Sequence, residues 1–88
     1  MSKILFTELG FKQYVYWQGQ DRKMLRKINS LLKSIERDGA MAGEGKPEKL
    51  TGRINTYSRR IDDTNRLVYE VSEEYITVKA CKGHYEDK

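Results

Sequence analysis

The sequence predicts a two-layer α+β domain with an N-terminal strand, then an antiparallel helix hairpin, then an antiparallel three-stranded meander whose one face the hairpin covers. Three observations support this class: a short strand-like run near the start, apolar residues at helical spacing in the first half, and alternation of period two from Ile54 onward. With 88 residues, 38% of them hydrophobic and 34% charged, the chain fits a single domain, residues 1–88, with a thin core.

The first two predicted elements are a strand and a helix. Residues 3–7 hold a short run rich in strand formers, Ile4 to Phe6, and Thr7 is a candidate N-cap for the first helix. Phe11, Tyr14 and Val15 then recur at helical spacing, so we expect this helix to run to about Gly19.

The second helix gives the clearest periodic signal of the chain. Asp21 is its candidate N-cap, and Gly39 supplies the stop. The apolar positions that form its stripe are Met24, Leu25, Ile28, Leu31, Leu32 and Ile35. Because the link between the two helices is short, they should form an antiparallel hairpin.

The second half of the chain predicts a loop followed by three strands. Residues 39–51 contain three glycines and the only proline, Pro47, which favours a loop over a third helix. Three alternating segments come next, and the polar stretches 62–65 and 72–74 between them have hairpin length. These strands should form an antiparallel meander.

Composition and charge exclude several classes of protein. The single cysteine, Cys81, excludes an internal disulfide framework, and with His84 as the only histidine no His/Cys metal cluster can form, so we expect no metal and no cofactor. No apolar run approaches the roughly 20 residues that span a bilayer, and a cytoplasmic protein without membrane contact is expected. The net charge of +4 favours a polyanionic partner.

The second helix carries many cations away from its apolar stripe. They are Arg22, Lys23, Arg26, Lys27, Lys33 and Arg37. A solvated helix surface is the ordinary explanation of such a pattern. The alternative is an electrostatic footprint for an RNA backbone, with an affinity that falls as salt rises.

A second basic set lies after the loop. Its members are Lys46, Lys49, Arg53, Arg59, Arg60 and Arg66. Neighbouring residues of a strand point to opposite faces, and Arg59 shares the side of the apolar positions, so Arg60 is the better candidate for an open face. Arg60 and Arg66 flank one predicted turn and could converge on a phosphate, or they could form ordinary ion pairs with Asp62, Asp63 or Glu70.

Glu48, an arginine, His84 and Tyr85 together suggest phosphodiester chemistry. Cleavage of RNA by its own 2′-hydroxyl needs a base, a cation on the phosphoryl oxygens and an acid for the departing 5′-oxygen. Glutamate, arginine and histidine can supply these roles without a metal. Taken singly, each of these residues is an ordinary surface side chain.

Several ordered motifs resemble one known family. They are YVYWQ at 14–18, GEGKPEKL at 43–50, SRRI at 58–61, RLVY at 66–69, and Cys81, His84 and Tyr85 near the end. This set is similar to the YoeB/Txe branch of the RelE toxin superfamily over nearly the whole chain. The resemblance implies the RelE-like, microbial-ribonuclease-like fold and a type II toxin that cleaves messenger RNA in the ribosomal A site.

The resemblance also implies roles for individual residues. Glu48 corresponds to the general base, His84 to the general acid, Arg66 to the cation on the scissile phosphate, and Tyr85 to a residue that orients base or phosphate. Residues implied in substrate binding are Lys46, Lys49 and Arg60. The basic helix positions Arg22, Lys23, Arg26 and Lys27 are then candidates for contact with ribosomal RNA.

The partners implied are the ribosome, messenger RNA and a cognate antitoxin that is acidic, partly disordered and YefM/Axe-like. A homodimer is a further possibility. Phe11, Trp17 and the tyrosines could contribute to the antitoxin interface or pack on the sheet. Two other functions fit the residues: a noncatalytic RNA-binding module, and an interaction protein whose basic surface receives an acidic partner.

Overall fold

A computed structural model describes residues 3–84. Its elements are β1 (Lys3–Phe6), α1 (Glu8–Gln20), α2 (Arg22–Asp38), β2 (Glu48–Lys49), β3 (Thr56–Arg60), β4 (Arg66–Val71) and β5 (Tyr75–Ala80). The two helices and the sheet confirm the predicted α+β class. Within the described residues, neither helix has the length and apolarity needed to cross a membrane.

The five strands form one sheet in the order β1-β5-β4-β3-β2. Strands β3, β4 and β5 pair antiparallel in succession, which confirms the predicted meander. Strand β1 joins β5 in parallel, with Lys3 opposite Tyr75. The first and last strands of the sequence are thus neighbours, a pairing that local patterns do not specify.

The prediction of an uninterrupted loop over residues 39–51 was wrong at one point. Glu48 and Lys49 form a short strand on the far edge of the sheet, antiparallel to β3 with Glu48 opposite Ser58. Two residues are too few for a periodic signal. The backbone bonds from Arg60 to Gly45 (2.7 Å) and from Leu50 to Thr56 (2.8 Å) extend this attachment on either side.

Both predicted helix caps are confirmed. The Thr7 hydroxyl accepts a hydrogen bond from the Gly10 amide at 3.0 Å, and the Asp21 carboxylate accepts one from Lys23 at 3.0 Å. Asp21 alone links the two helices. The Tyr14 hydroxyl then donates across the hairpin to Asn29 at 2.7 Å.

The core lies between the helix hairpin and one face of the sheet. Ile28 and Leu31 of α2 are fully buried, as are Leu67 and Val78 of the sheet. Trp17 is also buried, and its indole N–H donates to the Cys81 carbonyl at 2.9 Å, so this tryptophan packs on the sheet and is not part of an exposed interface. The helices leave the other face of the sheet open for a site.

Candidate active site

Arg66 lies on the open face at the start of β4. Its guanidinium has two side-chain partners among the described residues, Ser58 and Glu48. Its Nε and Nη2 atoms donate to the Ser58 hydroxyl at 3.1 and 3.0 Å. Nη2 lies 3.8 Å from a carboxylate oxygen of Glu48, which is too long for a charge-assisted hydrogen bond. The Arg66 side chain is 22% exposed, so part of the guanidinium faces solvent.

The strand register explains why Glu48 reaches Arg66. Glu48 is opposite Ser58 across the β2–β3 pair, and side chains of opposed residues lie on one face. Ser58 is in turn opposite Val68, two residues from Arg66. The short strand β2 therefore carries the carboxylate to the face on which Arg66 lies.

The segment that ends in His84 is attached beside Arg66. The backbone N–H of Arg66 donates to the Gly83 carbonyl at 3.1 Å, and the Gly83 N–H donates to the Asn65 side chain at 2.7 Å. His84 is the next residue and is exposed. The structure thus brings Glu48, Arg66 and the His84 segment to one end of the sheet. Tyr85 lies outside the described residues.

Arg60 is on the same face as Arg66, as strand alternation predicts. The two arginines are directly opposed across the β3–β4 pair. Arg60 is ion-paired with Asp63 of the adjoining turn, and both side chains are well exposed. An exposed pair of this kind contributes less than about 1 kcal/mol, so an incoming phosphate competes with it readily.

The two lysines predicted to bind substrate are placed differently from each other. Lys46 is exposed and has a positive φ of 51° just before Pro47. Lys49 is opposite Tyr57, and its ammonium lies 5.8 Å from the centroid of that ring. It therefore points away from the face that carries Glu48, and the structure does not bring it to Arg66.

The basic positions of α2 lie on the other layer of the molecule. Arg22, Lys23 and Arg26 are exposed. Lys27 is held by a hydrogen-bonded ion pair with Glu44 at 2.8 Å. The Lys27 ammonium, followed by the Ser30 hydroxyl, lowers the pKa of the Glu44 carboxyl. Part of the predicted cationic face is thus neutralised by the loop before β2.

Arg59 is the residue whose role the sequence did not indicate. Its side chain is fully buried on the covered face of the sheet. Nη1 donates to the Glu44 carbonyl (2.7 Å) and to Ser34 (3.1 Å), and Nη2 donates to the carbonyls of Gly39 (2.8 Å) and Ala42 (2.7 Å). This one guanidinium closes the 39–45 loop, which leads into β2 and Glu48.

Tyr69 completes the surroundings of Arg59. Its hydroxyl accepts a hydrogen bond from the Arg59 Nε at 2.8 Å and donates to the Ala40 carbonyl at 2.6 Å. Burial raises the pKa of Tyr69, against the opposing effect of the nearby guanidinium. The phenol therefore stays protonated, as its donation to Ala40 requires.

Two further residues near the site were not assigned a role from the sequence. Ser58 holds the Arg66 guanidinium, and Asn65 holds the residue before His84. Alternation did place Ser58 on the open face, because it lies two positions before Arg60. No pattern marks Asn65, whose contact with Gly83 depends on where the end of the chain returns.

Comparison with known proteins gives consistent matches. Residues 6–85 match the family of YoeB-like toxins of bacterial type II toxin–antitoxin systems. The chain is 44% identical to a toxin YoeB of Streptomyces coelicolor over 94% of its own length and 99% of that protein.

Two solved structures from Staphylococcus aureus have the same fold. One is a YoeB dimer, with a TM-score of 0.90 and 49% identity over 96% of this chain and 98% of that one. The other is a heterotetrameric YoeB–YefM toxin–antitoxin complex, with a TM-score of 0.88 and 49% identity over 97% and 99% of the two chains.

Proposed function

This chain belongs to the family of YoeB-like toxins of bacterial type II toxin–antitoxin systems, and we propose that it is a ribosome-dependent endoribonuclease. It cleaves messenger RNA in the A site through the 2′-hydroxyl, without a metal ion, and so inhibits translation. The observation that carries this proposal is the convergence of Glu48, Arg66 and the His84 segment at one end of the sheet.

In the proposed reaction Glu48 removes the proton of the 2′-hydroxyl. The 2′-oxygen then forms a bond to phosphorus, and the bond from phosphorus to the 5′-oxygen breaks. His84 gives its proton to that departing oxygen. The products are a 2′,3′-cyclic phosphate, which can open to a 3′-phosphate, and a free 5′-hydroxyl.

Arg66 is suited to stabilise the charge that gathers on the phosphoryl oxygens. The Ser58 hydroxyl fixes two of its donors, and among the described residues 3–84 no carboxylate lies close enough to consume the remaining N–H groups. A prepositioned donor of this kind does not need to reorganise during the reaction. Arg60, from the opposing strand, supplies a second positive charge once substrate displaces Asp63.

We propose the same partners that the family implies. An acidic, YefM-like antitoxin is suited to a chain of net charge +4, and the Staphylococcus aureus relative has been solved with YefM and as a dimer. Helix α1 exposes Leu9, Phe11 and Val15, which gives an antitoxin apolar surface to cover. Light scattering with and without a co-expressed antitoxin measures both associations.

The direct test is cleavage on ribosomes programmed with a defined message. Purified chain should cut at the A-site codon, and His84→Gln or Glu48→Gln should slow cleavage about 10²- to 10⁴-fold. Glu73→Gln is a matched control, because Glu73 is an exposed carboxylate in the β4–β5 turn, at the opposite end of β4 from Arg66.

Two results would contradict the proposal. Cleavage by both variants at the wild-type rate would show that the chemistry is assigned to the wrong residues. Salt-sensitive RNA binding without cleavage under any ribosomal condition would instead indicate a noncatalytic RNA-binding module. Mapping the 5′ ends of transcripts after brief expression distinguishes that module from a toxin in cells.

A further inference from the structure

Gly83, the residue before His84, is held at both of its backbone polar groups by the turn that joins β3 to β4. Its N–H donates to Oδ1 of Asn65 at 2.7 Å. Its carbonyl accepts a hydrogen bond from the Arg66 N–H at 3.1 Å. Two consecutive residues, Asn65 and Arg66, therefore fix one residue of the final segment.

These two hydrogen bonds matter because Gly83 has no side chain that could fix its backbone conformation by packing. Gly83 has a φ of +85°, in the left-handed region that glycine enters without strain. Cys81 anchors the segment two residues earlier, where it is buried and bonded to Gln13 and Trp17. At Gly83 itself a Cβ would meet no described atom within 4 Å, so hydrogen bonds rather than packing hold this residue and set the direction in which the chain continues to His84.

The Asn65 amide is itself oriented by Asp62. Oδ1 of Asp62 accepts hydrogen bonds from the backbone amides of Thr64 (2.9 Å) and Asn65 (2.7 Å) and from Nδ2 of Asn65 (3.1 Å). With its donor end turned to Asp62, the amide presents its acceptor oxygen to Gly83. Although partial burial opposes it, these donations lower the pKa of Asp62, so the carboxylate stays charged near neutral pH.

We propose that Asn65 is a positioning residue, which acts through Gly83 to hold His84 where it can protonate the departing 5′-oxygen beside Arg66. This inference rests on the function proposed above. Asn65 itself does not touch the substrate. Its loss lowers kcat and leaves KM nearly unchanged, because the cations that bind the message stay in place.

The first experiment compares Asn65→Ala with Thr64→Ala in single-turnover cleavage on programmed ribosomes. Asn65→Ala removes the acceptor for Gly83, and we expect cleavage to slow about 10-fold, since a displacement near 1 Å costs up to about 10²-fold. Thr64→Ala changes the same turn, and its hydroxyl makes only long contacts with Asp62 (3.3 Å) and with the Asn65 amide (3.4 Å), so this variant should stay within about twofold of wild type. Equal rates for wild type and Asn65→Ala would overturn the proposal.

A charge-matched exchange tests the contact itself. Asp62→Asn combined with Asn65→Asp keeps an acceptor toward Gly83, keeps a donor–acceptor pair between positions 62 and 65, and leaves the net charge unchanged. The double variant should regain most of the activity that Asn65→Ala loses. Failure to regain it, in a chain with wild-type thermal stability, would contradict a role for the acceptor.

A modified substrate separates positioning of the acid from general damage to the fold. Sulfur in place of the bridging 5′-oxygen gives a thiolate leaving group, which departs without a proton donor because a thiol is far more acidic than an alcohol (pKa about 8.5 for free cysteine). Asn65→Ala and His84→Gln should then both cleave at nearly the wild-type rate. If Asn65→Ala stays slow on the sulfur substrate, Asn65 does not act through His84.

Cleavage of the unmodified message, with its bridging 5′-oxygen, distinguishes failure of the proposed function from failure of the positioning role alone. Absence of ribosome-dependent cleavage by the wild-type chain would refute the proposed function as a whole, and full activity of His84→Gln on the oxygen substrate would refute His84 as its acid. A large loss for His84→Gln together with an unaffected Asn65→Ala would refute only the positioning role.

Discussion

Arg59 and Arg66 stand on neighbouring strands of one sheet, yet their surroundings differ in almost every respect. Arg59 is fully buried under the helices, and its donors are consumed by loop carbonyls and by the hydroxyls of Ser34 and Tyr69. Arg66 faces the open side, where its side chain contacts Ser58 and the more distant Glu48. The same side chain thus closes a loop on one face and, within the part of the chain that the structure describes, keeps donors available on the other.

The difference indicates how so small a domain supports a site. With only 88 residues in the chain, the 39–45 loop has little apolar surface of its own and is held by a guanidinium instead. That loop leads into β2, which carries Glu48 to the open face. The covered face fixes the backbone, and the open face carries the candidate site.

The largest expected effect is on activity, at Arg66. Arg66→Gln should lower kcat about 10²- to 10³-fold, the usual loss for one prepositioned donor to transition-state charge. The free energy of unfolding should change by less than about 1 kcal/mol, because the pair with Glu48 is partly exposed and long. Cleavage assays and urea unfolding measure the two quantities. A large loss of stability in Arg66→Gln would contradict the proposed difference between Arg66 and Arg59.

Arg59 should show the opposite pattern. Arg59→Met leaves the partly buried carbonyls of Gly39, Ala42 and Glu44 without their donor, and each group that water cannot reach in its place costs about 1–3 kcal/mol. We expect a loss of about 3 kcal/mol or more in urea unfolding. Arg59→Lys should rescue little of it, since an ammonium cannot span these acceptors. Wild-type stability in both variants would refute the role of Arg59 in holding the 39–45 loop.

Two buried serines give a finer version of the same comparison. Ser34 accepts a hydrogen bond from Arg59, and Ser58 accepts two from Arg66. Ser34→Ala should cost about 1–3 kcal/mol in stability with unchanged kcat. Ser58→Ala should lower kcat about 10-fold with a smaller change in stability, because misplaced catalytic groups lose rate steeply. Equal changes in kcat and in the free energy of unfolding for the two variants would contradict the assignment of stability to the covered face and activity to the open face.

The smallest expected effect is a dependence of stability on acid. The Glu44 carboxyl has a pKa below its ordinary value of 4.5, chiefly through Lys27. A lowered folded-state pKa stabilises the protein above the unfolded pKa, and that stability is lost as pH falls through the folded pKa. Thermal unfolding should thus show a modest loss below about pH 4.5 that Glu44→Gln reduces. If Glu44→Gln loses as much stability in acid as the wild type does, the Glu44 carboxylate does not contribute to the pH dependence.

The sequence predicted the parts of the fold that depend on local patterns. The caps at Thr7 and Asp21 and the period-two strands are confirmed, because each depends on residues close in the chain. The parallel pairing of β1 with β5 and the two-residue strand β2 were not predicted, since long-range pairing fixes both.

For the candidate site, strand alternation predicted the face on which each arginine lies but not the geometry around it. Alternation placed Arg59 and Arg60 on opposite faces, and the structure agrees. It could not show that backbone carbonyls from a distant loop surround Arg59, or that Glu44 neutralises Lys27. Nor could it show the contact from Gly83 to Asn65, which joins residues 18 positions apart.

Cleavage through the 2′-hydroxyl is best tested with a message that carries a single 2′-deoxy nucleotide on the 5′ side of the scissile linkage. If Glu48 activates the neighbouring 2′-hydroxyl, this message should occupy the ribosome normally and resist cleavage there, while the all-ribose message is cut to a 2′,3′-cyclic phosphate and a 5′-hydroxyl. Cleavage of both messages at the same position and rate would contradict this mechanism.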